Sequence, residues 1–558
     1  MKALTPWWAD AVVSQLYVRS FSDSNGDGIG DLPGITARLA HLTDVGVDAI
    51  WLNPVYPSPQ KDHGYDVADY RGVDPDYGTL ADLDDLFAAA HERGLRVLMD
   101  IVPNHSSNQH TWFQRALKSS PGSPERDWFY FRDGRGPDGT QPPNNWQSWF
   151  GGPAWTRITE NDGRAGQWYL HLFTPEQPDI NWSCSAVGDA FDEIFRFWWD
   201  RGAAGFRIDA PVVVGKTPGL PDAPPVAPGT PITDIAAQNP HVYHRPEVHD
   251  LFRRWRAVAD NYEQIHAGRE LVFVGETFSP SFDLVASYVN EDELHTTFSF
   301  ALLLANWQAP RWQHAIEEAL TGPHAHAGMR LSWALNNHDA QRNVSRYGHA
   351  DARHDSSYTN NNLVNSDQPV DVIVGTRRAR AAILIAAALP GPLYLYAGEE
   401  LGLPEVLDLP DAALQDPIWE RSGHTQRGRD GCRVPLPWAP DLATNYGFSM
   451  RGAAAPWMPQ PTGWGTWAAD TERGDPASML SLYRDVLALR RTLATATTVD
   501  MVDLGSDVVA YRRDDVTVMC NMGDAVLSMP AEFGEVMIAS ERVQGRELTS
   551  DHAVWLRR

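Results

Sequence analysis

The stretch AGFRIDA (204–210) is a short, mostly apolar run with an acidic residue, Asp209, next to its end. Turn residues and a helical pattern follow many such runs here, which is typical of strands buried on both faces of a parallel sheet. Seven further runs of this kind occur along the chain: VVSQLYV (12–18), DAIWLNP (48–54), RVLMDIV (96–102), LVFVGET (271–277), HTTFSF (295–300), RLSWALNN (330–337) and GPLYLYAG (391–398).

The segments between these runs are predicted to be helical. Residues 80–93 carry apolar side chains at helical spacing between Thr79 and Gly94, and residues 187–201 do the same and end at Gly202. Alternation of strands and helices fits an open doubly wound sheet as well as a closed barrel. The count of eight strands favours the barrel, so we predict an α/β fold of the (β/α)₈, or TIM barrel, class.

Two stretches break the alternation and predict additional domains. Residues 104–176 are rich in Gly, Pro and Trp and are too long for an ordinary loop. Near the end, a helical segment leads into alternating runs such as VVAYRR and VTVMCNM, which indicate an antiparallel sheet. We therefore predict a barrel from 1–103 and 178–480, an inserted small domain after the third strand (104–177) over the barrel mouth, and a C-terminal antiparallel β-domain (481–558).

Bulk composition excludes several classes of function. The 558 residues carry a formal net charge of −26, which disfavours nucleic acid and anionic membrane surfaces as partners. The three cysteines are far apart in sequence and show no metal-binding spacing, and no apolar run is long enough to span a bilayer. We expect a cytoplasmic monomer or homodimer that acts on a small molecule without an organic cofactor.

Ionisable residues gather at the ends of the predicted strands, where active sites of such barrels lie. A single carboxylate there is more often a structural capping group, but carboxylates at the ends of four different apolar strands indicate a shared purpose. Paired carboxylates without a histidine cluster suit glycoside hydrolysis. The residues are Asp100 with His105, Arg207 with Asp209, Glu276, and His338 with Asp339.

The neighbours of these carboxylates predict different protonation states. Arg207 lies two residues before Asp209, on the same strand face, and can keep that carboxylate ionised. Glu276 is surrounded by other carboxylates, which would raise its pKa as an acid catalyst requires.

Five motifs together resemble a known family, the alpha-amylase family of glycoside hydrolases. DIVPNH (100–105), GFRIDA (205–210), VGETF (274–278) and NNHDAQR (336–342) resemble its four conserved regions in the family's order. QPDINW (177–182) resembles a segment of the oligo-1,6-glucosidase and alpha-glucosidase branch. The resemblance runs from about Tyr17 to Trp438.

The resemblance implies separate roles for the carboxylates. Asp209 matches the nucleophile, Glu276 the acid/base, and Asp339 the carboxylate that orients the substrate. It also implies a retaining mechanism through a covalent glucosyl-enzyme. The residues that match the supporting shell around the non-reducing glucose are Asp100, His105, Arg207 and His338.

Two further segments resemble the parts of the glucosidase pocket that enclose a terminal sugar. In DHGYD (62–66), Asp62 would accept hydrogen bonds from sugar hydroxyls and Tyr65 would stack on the ring. In GRDGCRVPLPW (428–438), Arg429 would pair with that aspartate and close the pocket. The alternative for Asp62 and Arg429 is a surface ion pair, which is common and weak. Phe173 and Gln177 also match pocket positions.

The residues after the nucleophile bear on the substrate. In this branch a small residue at the position of Ala210 tends to accompany α-1,4 activity, so maltose-type substrates are favoured. Pro211-Val212-Val213 departs from the family pattern, in which a His or Asn is usual, and this leaves the acceptor open. A transglucosylase or isomerase of the trehalose-synthase or sucrose-isomerase kind remains the alternative to an exo-acting alpha-glucosidase.

The loop DSNGDGIGD (23–31) has the spacing of a calcium-binding loop. Glycines permit its tight wrap, and the glucosidase branch carries a similar loop that holds Ca²⁺ or Mg²⁺. A turn without metal is the alternative, because these residues form turns readily. The expected ligands of a structural ion are Asp23, Asn25, Asp27, the Ile29 carbonyl and Asp31.

Overall fold

A computed structural model describes residues 6–227, 230, 238–279, 281–321, 331–353, 369–493 and 497–558. The strands from the first half of the chain to the last barrel strand are β1 (Val12–Leu16), β2 (Ala49–Leu52), β3 (Arg96–Ile101), β4 (Phe131–Arg132), β5 (Trp155–Thr159), β6 (Ala165–Leu170), β7 (Gly205–Ile208), β8 (Val272–Gly275), β9 (Thr296–Ser299), β10 (Leu331–Ala334) and β11 (Leu393–Tyr396).

Strands β1–β3 and β7–β11 form a closed parallel barrel in which each strand pairs with the next and β11 pairs with β1. This confirms the predicted fold class. The strands are apolar almost throughout because both faces are covered: Trp51 and Phe298 pack inside the barrel, whereas Leu52 and Phe273 pack in the layer between strands and helices. Each predicted run contains one strand, and Arg330, the first residue of the seventh run, lies outside the described residues.

The helices in the described ranges are α1 (Val18–Phe21), α2 (Leu32–Val45), α3 (Leu80–Glu92), α4 (Thr111–Lys118), α5 (Ser185–Arg201), α6 (Glu247–Ile265), α7 (Phe282–Ala286), α8 (Ala301–Leu304), α9 (Ala309–Thr321), α10 (Asn343–Gly348), α11 (Val372–Ala388), α12 (Pro417–Arg421), α13 (Ala469–Glu472) and α14 (Met479–Arg490). Longer helices such as α2, α3, α5 and α11 alternate with the barrel strands and pack against them. Helix α3 begins at a capping box formed by Thr79 and Asp82. Helix α5 begins two residues before the predicted start and ends at Gly202, whose φ is +127°.

The segment after β3 contains a small antiparallel sheet in the order β4-β6-β5. Bridges from His105 to Asp179 and from Phe129 to Ile180 connect the start and end of this segment. Its residues Trp149, Phe150 and Phe173 line the cavity that contains Glu276. The segment therefore contributes to the barrel mouth, while the boundaries 104–177 remain a prediction.

The C-terminal region is antiparallel, as predicted. Its strands are β12 (Asp500–Met501), β13 (Val508–Arg513), β14 (Val516–Asn521), β15 (Leu527–Ser528), β16 (Glu535–Ala539), β17 (Glu547–Leu548) and β18 (His552–Arg557). Five of them form one sheet in the order β12-β13-β14-β18-β16, and β15 pairs with β17. None of the helices in the described ranges combines the length and the apolar character that crossing a bilayer requires.

Candidate active site

The barrel register brings two of the predicted carboxylates to the same edge. The amide of Asp209, directly after β7, donates to the carbonyl of Ile101 at 2.9 Å, and the amide of Glu276, directly after β8, donates to the carbonyl of Ile208 at 3.0 Å. Asp100 lies within β3, and Asp339 follows β10. Because parallel strands end at one face of a barrel, residues far apart in sequence meet there.

Arg207 holds three of these carboxylates together. Its side chain is fully buried, and its Nη1 lies 3.0 Å from Asp100 Oδ1 and 2.8 Å from Asp209 Oδ1. Its Nη2 lies 2.5 Å from Glu276 Oε1. One guanidinium therefore faces three acids, and the buried cluster carries more negative than positive charge.

This imbalance favours retention of a proton on the cluster. Burial raises the pKa of Glu276 to about 7; Arg207 opposes this rise, whereas the charge of Asp339 adds to it. Burial also raises the pKa of Asp209 above its usual range, against the attraction of Arg207 and with the repulsion of Glu276. The two carboxyls therefore interact, and the protonation of one depends on that of the other.

Ala210 links the two carboxyls through the backbone. Its φ of +42° lies in the left-handed region, which is uncommon for a residue with a side chain. In this conformation its amide donates to Glu276 Oε2 at 3.2 Å. The strained residue after Asp209 thus orients the carboxyl of Glu276.

Asp62 and Arg429, predicted to close the pocket, are joined by an ion pair. Arg429 Nη2 lies 3.1 Å from Asp62 Oδ1, and the Asp62 carboxyl is almost fully buried. Gln177 Nε2 donates to Asp62 Oδ2 at 3.1 Å and lies 3.0 Å from His105 Nε2. Burial raises the pKa of Asp62 to about 6, although Arg429 opposes the rise.

Asp339 is surrounded by cationic groups. Arg429 Nη1 and Arg433 Nη2 lie 2.9 and 3.0 Å from its Oδ1. Burial raises the pKa of Asp339, but His338, Arg429 and Arg433 outweigh this effect and hold the pKa well below its usual range. The surroundings of Asp339 therefore favour its ionised form.

Sequence reasoning missed two residues of this network. Asp416 accepts from Arg429 Nε at 2.6 Å and also from the Arg429 amide at 2.8 Å, so it fixes the orientation of the guanidinium. Arg433 lies in the same quoted segment as Arg429, and a second arginine four residues on was a usable signal. Asp416 carried no comparable signal, because the sequence DPIWE also describes an ordinary helix start, which α12 is.

Aromatic and histidine side chains complete the walls near these carboxyls. Tyr65 stacks on His338 at a centroid distance of 5.4 Å and donates its hydroxyl to Asp100 Oδ2 at 3.1 Å. The ring centroid of Phe173 lies 4.8 Å from that of His105. Burial lowers the pKa of His105 to about 3, so its ring is neutral. All the predicted substrate-binding residues thus lie in this one network.

The predicted metal loop lies apart from this network and is held by its own hydrogen bonds. Asp23 accepts from the amides of Gly26 and Gly28, and Asp27 accepts from that of Ile29 at 2.8 Å. Asp31 caps α2 through the Gly34 amide. Within the described ranges, no three His, Cys, Asp or Glu side chains are grouped as metal ligands, although an all-oxygen set that includes amide and carbonyl oxygens suits Ca²⁺ or Mg²⁺ chemically.

Known proteins are similar to this chain over most of its length. The family profile described as alpha amylase, catalytic domain, matches residues 15–498. A probable alpha-glucosidase of Rhizobium meliloti is 38% identical over 496 residues, which are 87% of this chain and 82% of the relative. An oligo-1,6-glucosidase of Parageobacillus thermoglucosidasius is 33% identical, and the match covers 87% of this chain and 84% of the relative.

Solved structures are similar to this chain over nearly its whole length. An alpha-glucosyl transfer enzyme, XgtA, has a TM-score of 0.82 and 34% identity, and the match covers 99% of this chain and 100% of the other. The trehalulose synthase MutB of Pseudomonas mesoacidophila MX-45 has a TM-score of 0.82 and 28% identity over the whole of both chains. The chain therefore belongs to the alpha-amylase family, and it is a glycoside hydrolase with a (β/α)₈ barrel.

Proposed function

We propose that this glycoside hydrolase is a retaining, exo-acting alpha-glucosidase that releases glucose from the non-reducing end of small α-glucosides. The observation that carries the proposal is the ion pair between Asp62 and Arg429, because it closes one end of the pocket beside Asp339. A closed end admits one terminal sugar and no longer chain. The relatives named alpha-glucosidase and oligo-1,6-glucosidase support this substrate class.

The proposed reaction gives a different role to each of the two carboxyls. Glu276, with its raised pKa, donates a proton to the glycosidic oxygen while Asp209 attacks the anomeric carbon. Water then gives its proton to Glu276 and its oxygen to the same carbon, and Asp209 leaves as a carboxylate. Because one guanidinium contacts both acids, their separation is short, which favours retention over inversion.

The linkage and the mode of attack can be tested together. Proton NMR of the enzyme with maltose, isomaltose and maltotriose should show α-glucose as the first anomer and faster cleavage of maltose, because Ala210 is small. A maltooligosaccharide blocked at O4 and O6 of its non-reducing end should resist cleavage. Initial β-glucose would contradict retention, and cleavage of the blocked substrate would contradict exo attack.

Asp209→Asn tests the proposed nucleophile. It should abolish release of nitrophenol from 4-nitrophenyl α-glucoside, since the nucleophile is lost. Asp408→Asn, a matched change at an exposed aspartate, should retain the activity of the parent enzyme. Equal activity of the two variants would remove Asp209 from the proposed role.

Transfer or isomerisation on the same scaffold is the second candidate function. Two structural neighbours are named for such reactions, an alpha-glucosyl transfer enzyme and a trehalulose synthase. Incubation with sucrose and with concentrated maltose, followed by NMR of the products, separates the candidates. New disaccharides that exceed glucose would favour transfer or isomerisation over hydrolysis.

We also propose that the loop of residues 23–31 binds a structural Ca²⁺ or Mg²⁺ ion. Asp23, Asn25, Asp27 and Asp31 with the Ile29 carbonyl supply only oxygen donors at alternate positions, as hard cations require. Since a ligand of the folded state stabilises it, added Ca²⁺ should raise the Tm, and chelation should lower it.

The variant Asp27→Ala separates an ion site from a turn. It should remove the dependence of the Tm on Ca²⁺, whereas Asp485→Ala, on an exposed helix face, should keep it. If neither Ca²⁺ nor Mg²⁺ changes the Tm of the parent protein, the loop is a turn without metal.

A further inference from the structure

A second cavity shares with the active site the loop that follows β7. Val212 and Val213 line the cavity that contains Glu276, whereas Val214 and Lys216 line the second one. The second cavity has a volume of about 360 Å³ and lies between the start of α5, the start of α6 and the inserted segment. Its described wall residues include no catalytic carboxyl, so the two cavities are distinct.

Two walls of the second cavity are fixed by hydrogen bonds. The buried Lys216 Nζ donates to Asn104 Oδ1 at 2.5 Å and to the Val213 carbonyl at 2.7 Å. Trp182 Nε1 donates to the Pro103 carbonyl at 2.8 Å and so fixes the indole. Because these walls are already ordered, a ligand would bind without a large entropic cost in the protein.

Tyr130 supplies the second cavity with a buried hydroxyl that lacks a partner. The residue lines the cavity and is only 8% exposed, yet no described residue forms a hydrogen bond with its hydroxyl. Burial raises the pKa of Tyr130 above its usual range, so the hydroxyl keeps its proton and can both donate and accept. Since buried polar groups are normally satisfied, a molecule in the cavity completes its bonding.

The start of α5 adds further hydrogen-bonding groups to the same cavity. Cys184 precedes the helix and its side chain does not cap it, so amides of the first turn remain available as donors. Ser183 and Ser185 bring hydroxyls, whereas the half-buried Trp182 and the buried Val248 bring apolar surface. The cavity therefore combines donors and acceptors with an aromatic ring, as an amphipathic ligand requires.

The charged residues of these walls favour a neutral ligand, because each is already paired with the opposite charge. The net charge of −26 further disfavours an anion. The four pairs, with nitrogen-to-oxygen distances of 2.6 to 2.9 Å, are Lys216 with Asp179, Arg254 with Asp189, Glu247 with Arg245, and Asp250 with Arg253.

We propose that the second cavity binds a neutral sugar, a single glucose unit, at a site separate from catalysis. A sugar ring offers an apolar face to an indole, and each of its hydroxyls both donates and accepts hydrogen bonds. The volume of about 360 Å³ lies within the range of small-molecule pockets, about 300–1,000 Å³. Glucose is the probe because it is the product of the proposed reaction, while binding here does not require that reaction.

Cys184 provides a direct reporter of binding in the second cavity. It lines the cavity and is half-exposed, whereas Cys432 and Cys520 are buried. Iodoacetamide should therefore alkylate Cys184 in the folded protein, at a rate measured by intact-mass spectrometry. Bound glucose should slow this reaction to about one tenth when its concentration is about ten times the dissociation constant. Should Cys184 prove unreactive, Ser185→Cys places the thiol at an exposed position of the same wall.

Two results of this assay overturn the inference. One is an unchanged alkylation rate at about 0.1 M glucose, which is ample for millimolar binding. The other is equal slowing by glycerol at the same concentration, because a site built for a sugar ring distinguishes glucose from a short open-chain polyol.

Tyr130→Phe locates the sugar in this cavity. The change removes only the unpartnered hydroxyl, so the Tm should not fall. Half-protection of Cys184 should need about two- to tenfold more glucose, as expected for the loss of one hydrogen bond. Tyr262→Phe, outside the cavity, removes a hydroxyl that donates to Asp200 and should leave protection unchanged. Equal protection in Tyr130→Phe and the parent protein overturns the inference.

Asp62→Asn separates the second cavity from the active site. This change weakens the ion pair with Arg429 in the active pocket and should weaken glucose binding there. Protection of Cys184 should keep the glucose dependence of the parent protein. Loss of protection in Asp62→Asn would assign the effect to the active site and overturn the inference. A parent protein that cleaves no α-glucoside would contradict the proposed function but would leave the result of this binding assay unaffected.

Discussion

The carboxyls of this site differ in the number of arginines around them, and their pKa values are shifted in opposite directions. Arg207 is a single cation among Asp100, Asp209 and Glu276, so the excess negative charge and burial raise the pKa of Glu276 to about 7. At Asp339, Arg429 is joined by Arg433, and the pKa falls. Burial together with the charged groups around each acid thus determines which of them favours its protonated form.

The raised pKa of Glu276 predicts the alkaline limit of activity. The acid must be protonated to assist the leaving oxygen, so kcat/KM on maltose should fall as the pH rises through about 7. Glu276→Gln should lower kcat by about 10²–10⁴-fold and should flatten this alkaline limb. The measurement is a pH profile of both proteins on maltose.

The control for this profile is Glu291→Gln, at an exposed position outside the pocket, which should reproduce the parent profile. An alkaline limb that persists unchanged in Glu276→Gln would assign it to another group.

At the scale of elements, the packing of α10 against α11 positions the loop that carries Asp339. Gly375 in the first turn of α11 contacts α10 so closely that a Cβ there would lie 1.9 Å from the carbonyl oxygen of Val344. Helix α10 begins four residues after Asp339. A displacement of α10 would therefore reach the site through a short connection.

Gly375→Ala tests this contact because helix propensity and the close approach predict opposite changes in the stability of the folded protein. Helix propensity alone would stabilise the variant by about 1 kcal/mol. The clash requires the helices to separate, and overpacking costs about 1–3 kcal/mol, so we expect a lower Tm and a higher KM. Both are measured by thermal unfolding and by kinetics on 4-nitrophenyl α-glucoside.

Gly474→Ala is the matched control, because a Cβ there meets nothing within 4 Å and should leave the Tm and KM unchanged. A Gly375→Ala protein as stable as the parent would show that the close approach does not determine the packing of α10 on α11.

At the scale of the whole molecule, the C-terminal sheet completes a buried helix of the barrel. The last turns of α11 have carbonyls without partners inside the helix, as every helix end does. Trp555 Nε1 donates to the Leu384 carbonyl at 2.8 Å, Tyr511 donates to that of Ile385, and Arg513 donates to that of Ala388 at 3.1 Å. Arg490 of α14 donates to the carbonyl of Ala387 at 2.7 Å.

This shared hydrogen bonding predicts that the barrel and the C-terminal sheet unfold together. Calorimetry should show one transition, at which activity is lost. Trp555→Phe should lower its Tm, because it removes a buried hydrogen bond between the sheet and α11, worth about 0.5–1.5 kcal/mol. Two separate transitions, with activity surviving the first, would contradict the shared unfolding.

The sequence by itself determined the barrel and the chemical identity of its acids. Both signals are local: strands such as AGFRIDA are covered on both faces and must be apolar throughout, and an acid at the end of such a strand stands out. The closing pair, Asp62 and Arg429, was found through motifs 367 residues apart. The predicted runs extend one to three residues beyond the strand ends, because they include residues of the following turns, such as Asn336 and Asn337 after β10.

Only the tertiary structure decided the partners and protonation states of these residues. Asp416 lies in an ordinary helix start, and its contact with Arg429 exists only because the chain returns to the pocket. The cavity that contains Glu276 is lined by residues that follow several barrel strands and by residues of the inserted segment, which are far apart in sequence. Charge balance, burial and cavity shape are sums over residues distant in sequence, and folding alone brings those residues within the few ångströms over which they act.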